Sequence, residues 1–111
     1  MAHSNVGDVL QAQGQLGAAL EAYREYQRLM AMLAARDPDN AGWQSDLAVA
    51  HWCIGSVLQD QRQTKTALRE YEAALRIAQR LVTLDPTNAQ WQADLEDLRQ
   101  ILLEKPFLRQ V

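Results

Sequence analysis

The chain has 111 residues, which suits one folded domain and is too short for a second independent core. Alanine, leucine and glutamine supply 46 residues, against 13 for valine, isoleucine and threonine, so the composition favours helices over strands. The net charge of −3, without a run of like charge, argues against nucleic acid and anionic membrane surfaces as ligands, because both select basic proteins.

Cysteine and histidine are too few to stabilise the fold through disulfide or metal links. Cys53 is the one cysteine, so an intrachain disulfide is excluded, and with two histidines it falls short of the four ligands of a structural zinc site. The longest apolar run, Leu29 to Ala35, is far shorter than the roughly 20 residues that cross a bilayer. The N-terminal residues lack the basic and apolar regions of a secretory signal. We therefore expect a cytoplasmic protein without cofactors.

A repeat of 48 residues organises the chain. Residues 1–47 aligned with residues 49–95 give 21 identities in 47 positions without a gap. Asp37-Pro38 and Asp85-Pro86 are equivalent in this alignment, and each pair marks a helix end because the residue before a proline disfavours the helical conformation. A fixed period of roughly 20 to 50 residues is typical of stacked structural repeats.

Capping residues and prolines predict five helices. Asn40 is a favourable N-cap for the third helix and Thr64 for the fourth, while Pro106 ends the fifth. Apolar residues of the third helix recur at steps of three and four, so they form one packing stripe. In chain order, the predicted helices are one that ends at Gln13, then 16–36, 41–60, 64–84 and 89–104.

Both repeats carry the same spaced motif. The first copy is His3-x2-Val6-Gly7-x2-Leu10, Ala19-x3-Tyr23 and Pro38. The second copy is His51-x2-Ile54-Gly55-x2-Leu58, Ala67-x3-Tyr71 and Pro86. The pattern resembles the tetratricopeptide repeat signature, W-x2-L-G-x2-Y, A-x3-F and P, with histidine in place of tryptophan. Arg62 occupies the place of the turn glycine Gly14, so we expect a looser second turn.

The repeat is longer than the family period of about 34 residues. Each helix is longer by seven residues, nearly two turns, which keeps the added side chains on the same packing face. A long-helix hairpin array outside the family is the alternative. The resemblance implies an antiparallel helix-hairpin repeat array, a fragment of a tetratricopeptide-like α-solenoid. We expect one all-α domain at 1–104, with repeat one at 1–40, repeat two at 41–88 and a terminal helix at 89–104, followed by a tail at 105–111.

The residues that could carry chemistry fit structural roles better. His3 and His51 occupy equivalent places on the packing face, where we expect a half-buried, hydrogen-bonded ring. Cys53 is two residues from His51, and side chains at this spacing do not face each other on a helix. No phosphate-binding loop, zinc-binding histidine pair or serine, histidine and aspartate triad is present. The sequence does not predict an enzyme.

The resemblance implies a concave groove that is lined by the first helix of each hairpin and receives a peptide or a partner helix. The packing stripe of the third helix faces the core, which leaves a neighbouring face for the groove. Trp52 lies beside the stripe and is either half-buried against a neighbouring helix or an exposed anchor for a ligand. The candidate partner-binding residues are Ser4, Asp8, Gln11, Ser45, Val49, Trp52, Ser56, Gln59 and Asp60.

The places that clamp a partner's C-terminal carboxylate in some tetratricopeptide domains hold other residues here. Ser4 and Trp52 stand at the lysine places, and Asp8 and Ser56 at the asparagine places. Asp8 and Asp60 instead favour a neutral or basic partner. The expected function is a non-catalytic protein-protein interaction module. The alternatives are a structural or self-assembling segment of a longer repeat array and a regulatory segment of a larger protein.

The two ends of the array are expected to differ. By the 48-residue offset, the first helix lacks about two turns that its repeat equivalent has, so we expect Val6 and Val9 to lie on a truncated N-terminal edge that is open to missing repeats or to a homo-oligomeric contact with a second copy. The tail at 105–111 contains Phe107 and Leu108, and it is either disordered or docked on an apolar surface.

Overall fold

The computed structural model describes residues 5–104. This part of the chain contains five α-helices and no strand, which confirms the all-α prediction. The helices are α1 (Asn5–Ala12), α2 (Leu16–Arg36), α3 (Ala41–Asp60), α4 (Thr64–Leu84) and α5 (Ala89–Glu104).

The helix ends follow the capping residues closely. The Oδ1 atom of Asn40 accepts a hydrogen bond from the backbone N–H of Trp43 at 3.1 Å, and Asn88 does the same for Trp91 at 3.0 Å. Thr64 differs from the prediction, because it is the first helical residue and Gln63 takes the N-cap position without a side-chain hydrogen bond. The first helix ends one residue earlier than predicted, at Ala12.

Each helix packs on its neighbour in the chain: α1 on α2, α2 on α3, α3 on α4 and α4 on α5. The main core lies between these pairs, and its largest fully buried side chains are Tyr23, Ile54, Val57, Leu58 and Leu98. A smaller apolar cluster of Ala48, Ile77 and Leu81 joins α3 to α4. Apolar residues of α3 and α4 therefore meet inside the molecule.

The same close contact between a glycine and a tyrosine ring occurs in both hairpins. A Cβ atom at Gly55 would lie 3.0 Å from Cε1 of Tyr71, and one at Gly7 would lie 2.5 Å from Cε1 of Tyr23. These distances are shorter than ordinary van der Waals contact, so each tyrosine ring packs directly on helix backbone. Gly55 and Tyr71 follow Gly7 and Tyr23 by 48 residues, so the sequence repeat is also a repeat of this contact.

The two hairpin turns are equally tight, contrary to the expectation for Arg62. Gly14 has a φ of 78° and Arg62 a φ of 63°, so both adopt the left-handed conformation. In the first turn, Gln15 N–H donates to the Leu10 carbonyl at 2.9 Å, and Gln63 N–H donates to the Leu58 carbonyl at 2.9 Å in the second. Arginine therefore adopts the glycine conformation at the cost of backbone strain.

The first helix has an uncovered apolar edge. Val6 is 65% exposed and Val9 is 55% exposed, whereas their repeat equivalents Ile54 and Val57 are fully buried. The difference arises because α3 packs on both α2 and α4, whereas the main packing contact of α1 is with α2. None of the five helices described combines the length and apolar character of a membrane span. The predicted tail at 105–111 lies outside the described residues.

Candidate functional site

Eight of the nine predicted partner-binding residues can be placed, because Ser4 lies outside the described residues. Asp8 and Gln11 are on α1, and the other six are on α3. Asp60 is exposed and the rest are half-buried, so all eight retain some access to solvent. The structure divides them into a polar cluster between α1 and α3 and a crevice between α3 and α5.

The polar cluster joins the C-terminal ends of α1 and α3. The Nε2 group of Gln11 donates to Ser56 Oγ at 3.0 Å and to Asp60 Oδ2 at 3.0 Å. The Tyr23 hydroxyl donates to the Asp8 carboxylate. These side chains satisfy one another, and the cluster holds the first helices of the two hairpins side by side.

Gln59 has a structural contact that the sequence did not predict. Its Oε1 atom accepts a hydrogen bond of 2.9 Å from the hydroxyl of Tyr71, whose ring is buried in the core. The pKa of Tyr71 is raised to about 12, chiefly by burial. Gln59 therefore satisfies a core hydroxyl that would otherwise be costly to bury.

The crevice contains the other three predicted residues. Ser45, Val49 and Trp52 recur at steps of four and three, so they share one face of α3. This face forms one wall of a narrow crevice whose inner part measures about 20 Å³, roughly enough for one water molecule. The remaining lining comes from Ala48, from Ala78 and Leu81 of α4, and from Trp91, Asp94 and Leu98 of α5.

The contribution of α5 was missed from the sequence. Trp91 and Asp94 are the repeat equivalents of Trp43 and Asp46, and the alignment marks α5 as the first helix of a third period. Extending the groove prediction to α5 would not have found them, because the 48-residue offset carries Ser45, Val49 and Trp52 to Ala93, Asp97 and Gln100. Trp52 packs against the core and also lines the crevice, so it is half-buried while keeping an accessible face.

The crevice widens toward the N-terminal ends of α3 and α5. An open part of about 430 Å³ is lined by Gly42, Asp46 and Gln90, and it shares Ser45 and Trp91 with the inner part. Two half-buried carboxylates thus adjoin two half-buried tryptophans.

Burial affects both carboxylates of the crevice. It raises the pKa of Asp46 and of Asp94 above their ordinary value. A hydrogen bond of 2.9 Å from Gln90 Nε2 to Asp94 acts in the opposite direction but is the smaller effect. Ionised carboxylates here are poorly solvated, and a cation placed beside them would stabilise them.

Basic side chains are concentrated on α2 and α4, whereas α1, α3 and α5 are mainly acidic. Within residues 5–103, α1, α3 and α5 carry a single lysine or arginine, Arg99. Their carboxylates are Asp8, Asp46, Asp60, Asp94, Glu96 and Asp97. The basic side chains of α2 and α4 are Arg24, Arg28, Arg36, Lys65, Arg69, Arg76 and Arg80. The helices that carry the candidate site are therefore acidic, although the whole chain is nearly balanced.

The described histidine and cysteine fit structural roles. His51 Nδ1 lies 2.6 Å from Glu70 Oε2 and 3.0 Å from Gln27 Nε2, so the predicted half-buried, hydrogen-bonded ring is confirmed, and it links α3 to α2 and α4. Burial raises the pKa of the Cys53 thiol to about 12, so it carries little thiolate at neutral pH. Residues 5–104 contain no cluster of side chains suited to hold a metal ion.

Comparison with known proteins gives no match: no protein-family model, curated protein or solved structure matches this chain.

Proposed function

We propose that this chain is a non-catalytic protein-interaction module that binds a peptide or a partner helix on the face formed by α1, α3 and α5. The observation that carries the proposal is the crevice between α3 and α5, where Val49, Trp52 and Trp91 are half-buried and line an accessible surface. Tryptophan is enriched among the residues that dominate binding energy at protein interfaces.

The proposal includes a tetratricopeptide-like arrangement of the hairpins. It is supported by the 48-residue repeat, by the glycine and tyrosine contact in both hairpins, and by the packing of each helix on its chain neighbour. In such an arrangement the first helices line one surface, and here that surface would contain both the polar cluster and the crevice.

The proposed partner is neutral to basic. Carboxylates dominate α1, α3 and α5, and complementary charge steers association and suppresses partners of the wrong sign. The same acidity disfavours nucleic acid and anionic membranes.

The test is selection of peptides from a random library on the purified chain, followed by affinity measurement with two matched variants. Val49→Lys places a charge in the crevice, whereas Val9→Lys makes the same change on the exposed edge of α1. We expect Val49→Lys to weaken binding by about tenfold or more and Val9→Lys by less than about twofold, with unchanged circular dichroism. Equal effects of the two variants, or no selected binder, would refute the proposal.

A second candidate function is self-assembly through the N-terminal edge. Val6 and Val9 are largely exposed although their repeat equivalents are buried under a helix. A second copy that covers this edge would give an oligomer. If the chain self-assembles, we expect the solution mass of the parent chain to increase with concentration. The Val6→Ser, Val9→Ser double variant should keep the mass of a monomer. A parent chain that is monomeric throughout the concentration series would rule it out.

A further inference from the structure

The crevice between α3 and α5 combines two kinds of group that attract a cation. Trp52 and Trp91 present indole rings, whose faces attract positive charge. Asp94 lines the inner part beside them and Asp46 lines the outer part. Indole and carboxylate groups together can bind a cation more strongly than either kind alone.

The lining of the crevice contains carboxylates but no basic side chain among the residues described. No lysine, arginine or histidine lines the inner or the outer part of the crevice as far as residues 5–104 are concerned. The salt bridges among these residues are Arg28 with Glu25 and His51 with Glu70, so neither Asp46 nor Asp94 takes part in one. Burial also opposes ionisation of both carboxyls, which a bound cation would reverse.

We propose that this crevice binds an arginine side chain of the partner. The inference rests on the proposed function, because it names the anchor residue that a peptide or partner helix would place on the α3 and α5 face. In the open part of the crevice, the guanidinium group would stack on the indole ring of Trp91 and donate hydrogen bonds to the Asp46 carboxylate.

Shape favours arginine over lysine. The open part of the crevice, about 430 Å³, has room for a planar guanidinium group beside Trp91, whereas an ammonium group is a compact and strongly hydrated charge. A planar fork of N–H donors also matches a carboxylate with two hydrogen bonds. Lysine would keep the charge attraction but lose the stacking and the paired hydrogen bonds.

The experiment titrates the full chain with N-acetyl-arginine methylamide and follows the indole N–H signals of its tryptophans by NMR. Trp91, which lines the open part, should shift saturably, whereas Trp43, which lines neither part, serves as an internal reference. Each signal is assigned with a Trp→Phe variant. The matching lysine and citrulline compounds separate charge from shape, since citrulline has a similar planar side chain without the charge.

We expect the arginine compound to bind at least about threefold more tightly than the lysine compound and about tenfold more tightly than the citrulline compound. Asp46→Asn with Asp94→Asn should weaken arginine binding by about tenfold. The control Glu21→Gln with Glu72→Gln removes the same charge from exposed sites on α2 and α4, and it should change binding by less than about twofold. Asparagine preserves the side-chain shape, and the thermal midpoint of each variant verifies folding.

Three results would overturn the arginine site: no shift up to about 50 mM compound, equal binding of the three compounds, or equal loss in the two double variants. Failure of this inference is distinguishable from failure of the proposed function. Selected peptides that depend on Val49 but bind without any arginine would leave the interaction module standing and remove only the arginine site. Selected peptides that lose affinity on Arg→citrulline replacement would support both.

Discussion

Gly55 shows how one missing methyl group sets the spacing of a hairpin. Tyr71 is buried and hydrogen-bonded to Gln59, so its ring cannot easily retreat from a new Cβ atom. We expect Gly55→Ala to lower the free energy of unfolding by about 1 to 2 kcal/mol, because overpacking outweighs the roughly 1 kcal/mol that alanine gains in helix propensity. Gly7→Ala should cost more, since its Cβ atom would lie closer to Tyr23.

The control for this prediction is Gly17→Ala on α2. Nothing lies within 4 Å of a Cβ atom at Gly17, so only the helix propensity changes. Stability should rise by up to about 1 kcal/mol. Urea unfolding of the three variants measures the differences. If Gly55→Ala were as stabilising as Gly17→Ala, the close contact with Tyr71 would not be limiting.

Individual site residues were only partly predictable from the sequence. Helical spacing was enough to place Ser45, Val49 and Trp52 on one face. The roles of Gln11 and Gln59 were not predictable, because a glutamine's hydrogen-bond partners depend on how neighbouring helices are placed and on its own flexible side chain. Their partners lie on helices whose relative position no local pattern fixes.

The helix bounds were the most predictable elements. Prolines, asparagine caps and turn residues act over a few positions, so α2 to α5 begin and end where these residues predict. The turn at Arg62 was misjudged because tertiary packing of α3 on α4 holds arginine in a conformation that it disfavours locally.

The turn between α3 and α4 can be relaxed by one substitution. Arg62 has a positive φ, which costs a non-glycine residue roughly 1 to 2 kcal/mol, and glycine adopts it freely. Glycine also increases the entropy of the unfolded chain, which offsets part of this gain. We therefore expect Arg62→Gly to raise the free energy of unfolding by up to about 1 kcal/mol, as measured by urea unfolding.

The first turn gives the converse of this prediction. Gly14 has a positive φ and open space around it, so Gly14→Ala should be destabilising by about 1 kcal/mol through backbone strain alone. Opposite signs for the two variants would agree with the strain at Arg62. A loss of stability in Arg62→Gly would instead show that the arginine side chain contributes more than its backbone costs.

At the scale of the whole molecule, both the packing contacts and the distribution of charge follow the 48-residue repeat. Tyr23 and Tyr71 close equivalent hairpins, and the helices that carry Asp8, Asp46 and Asp94 are equivalent in the same register. The repeat was visible in the sequence, but the crevice was not. Its width depends on how α3 and α5 rest on α4, and this placement is determined by packing of the whole core.

Burial of tyrosines and the cysteine makes the whole molecule sensitive to alkali. It raises the pKa of Tyr26 and Tyr71 from 10.0 to about 12 and that of Cys53 from 9.0 to about 12. The folded protein therefore retains protons that the unfolded chain loses as the pH rises from about 9 to 12. Each group contributes stability that is fully present below its unfolded pKa and is lost as the pH rises toward the folded value.

We predict that the free energy of unfolding, measured in urea, falls steeply above about pH 10. Tyr71 and Cys53 can each contribute up to about 1.4 kcal/mol per pH unit in this range, and the half-buried Tyr26 contributes less because solvent screens its charge. These contributions are a large fraction of the total stability of roughly 5 to 15 kcal/mol of a typical domain. Tyr26→Phe removes one titrating group and should make the decline shallower, while tyrosinate absorbance should appear together with unfolding. Constant stability up to pH 11, or tyrosinate formation in the folded protein near pH 10, would show that these hydroxyl groups are solvated.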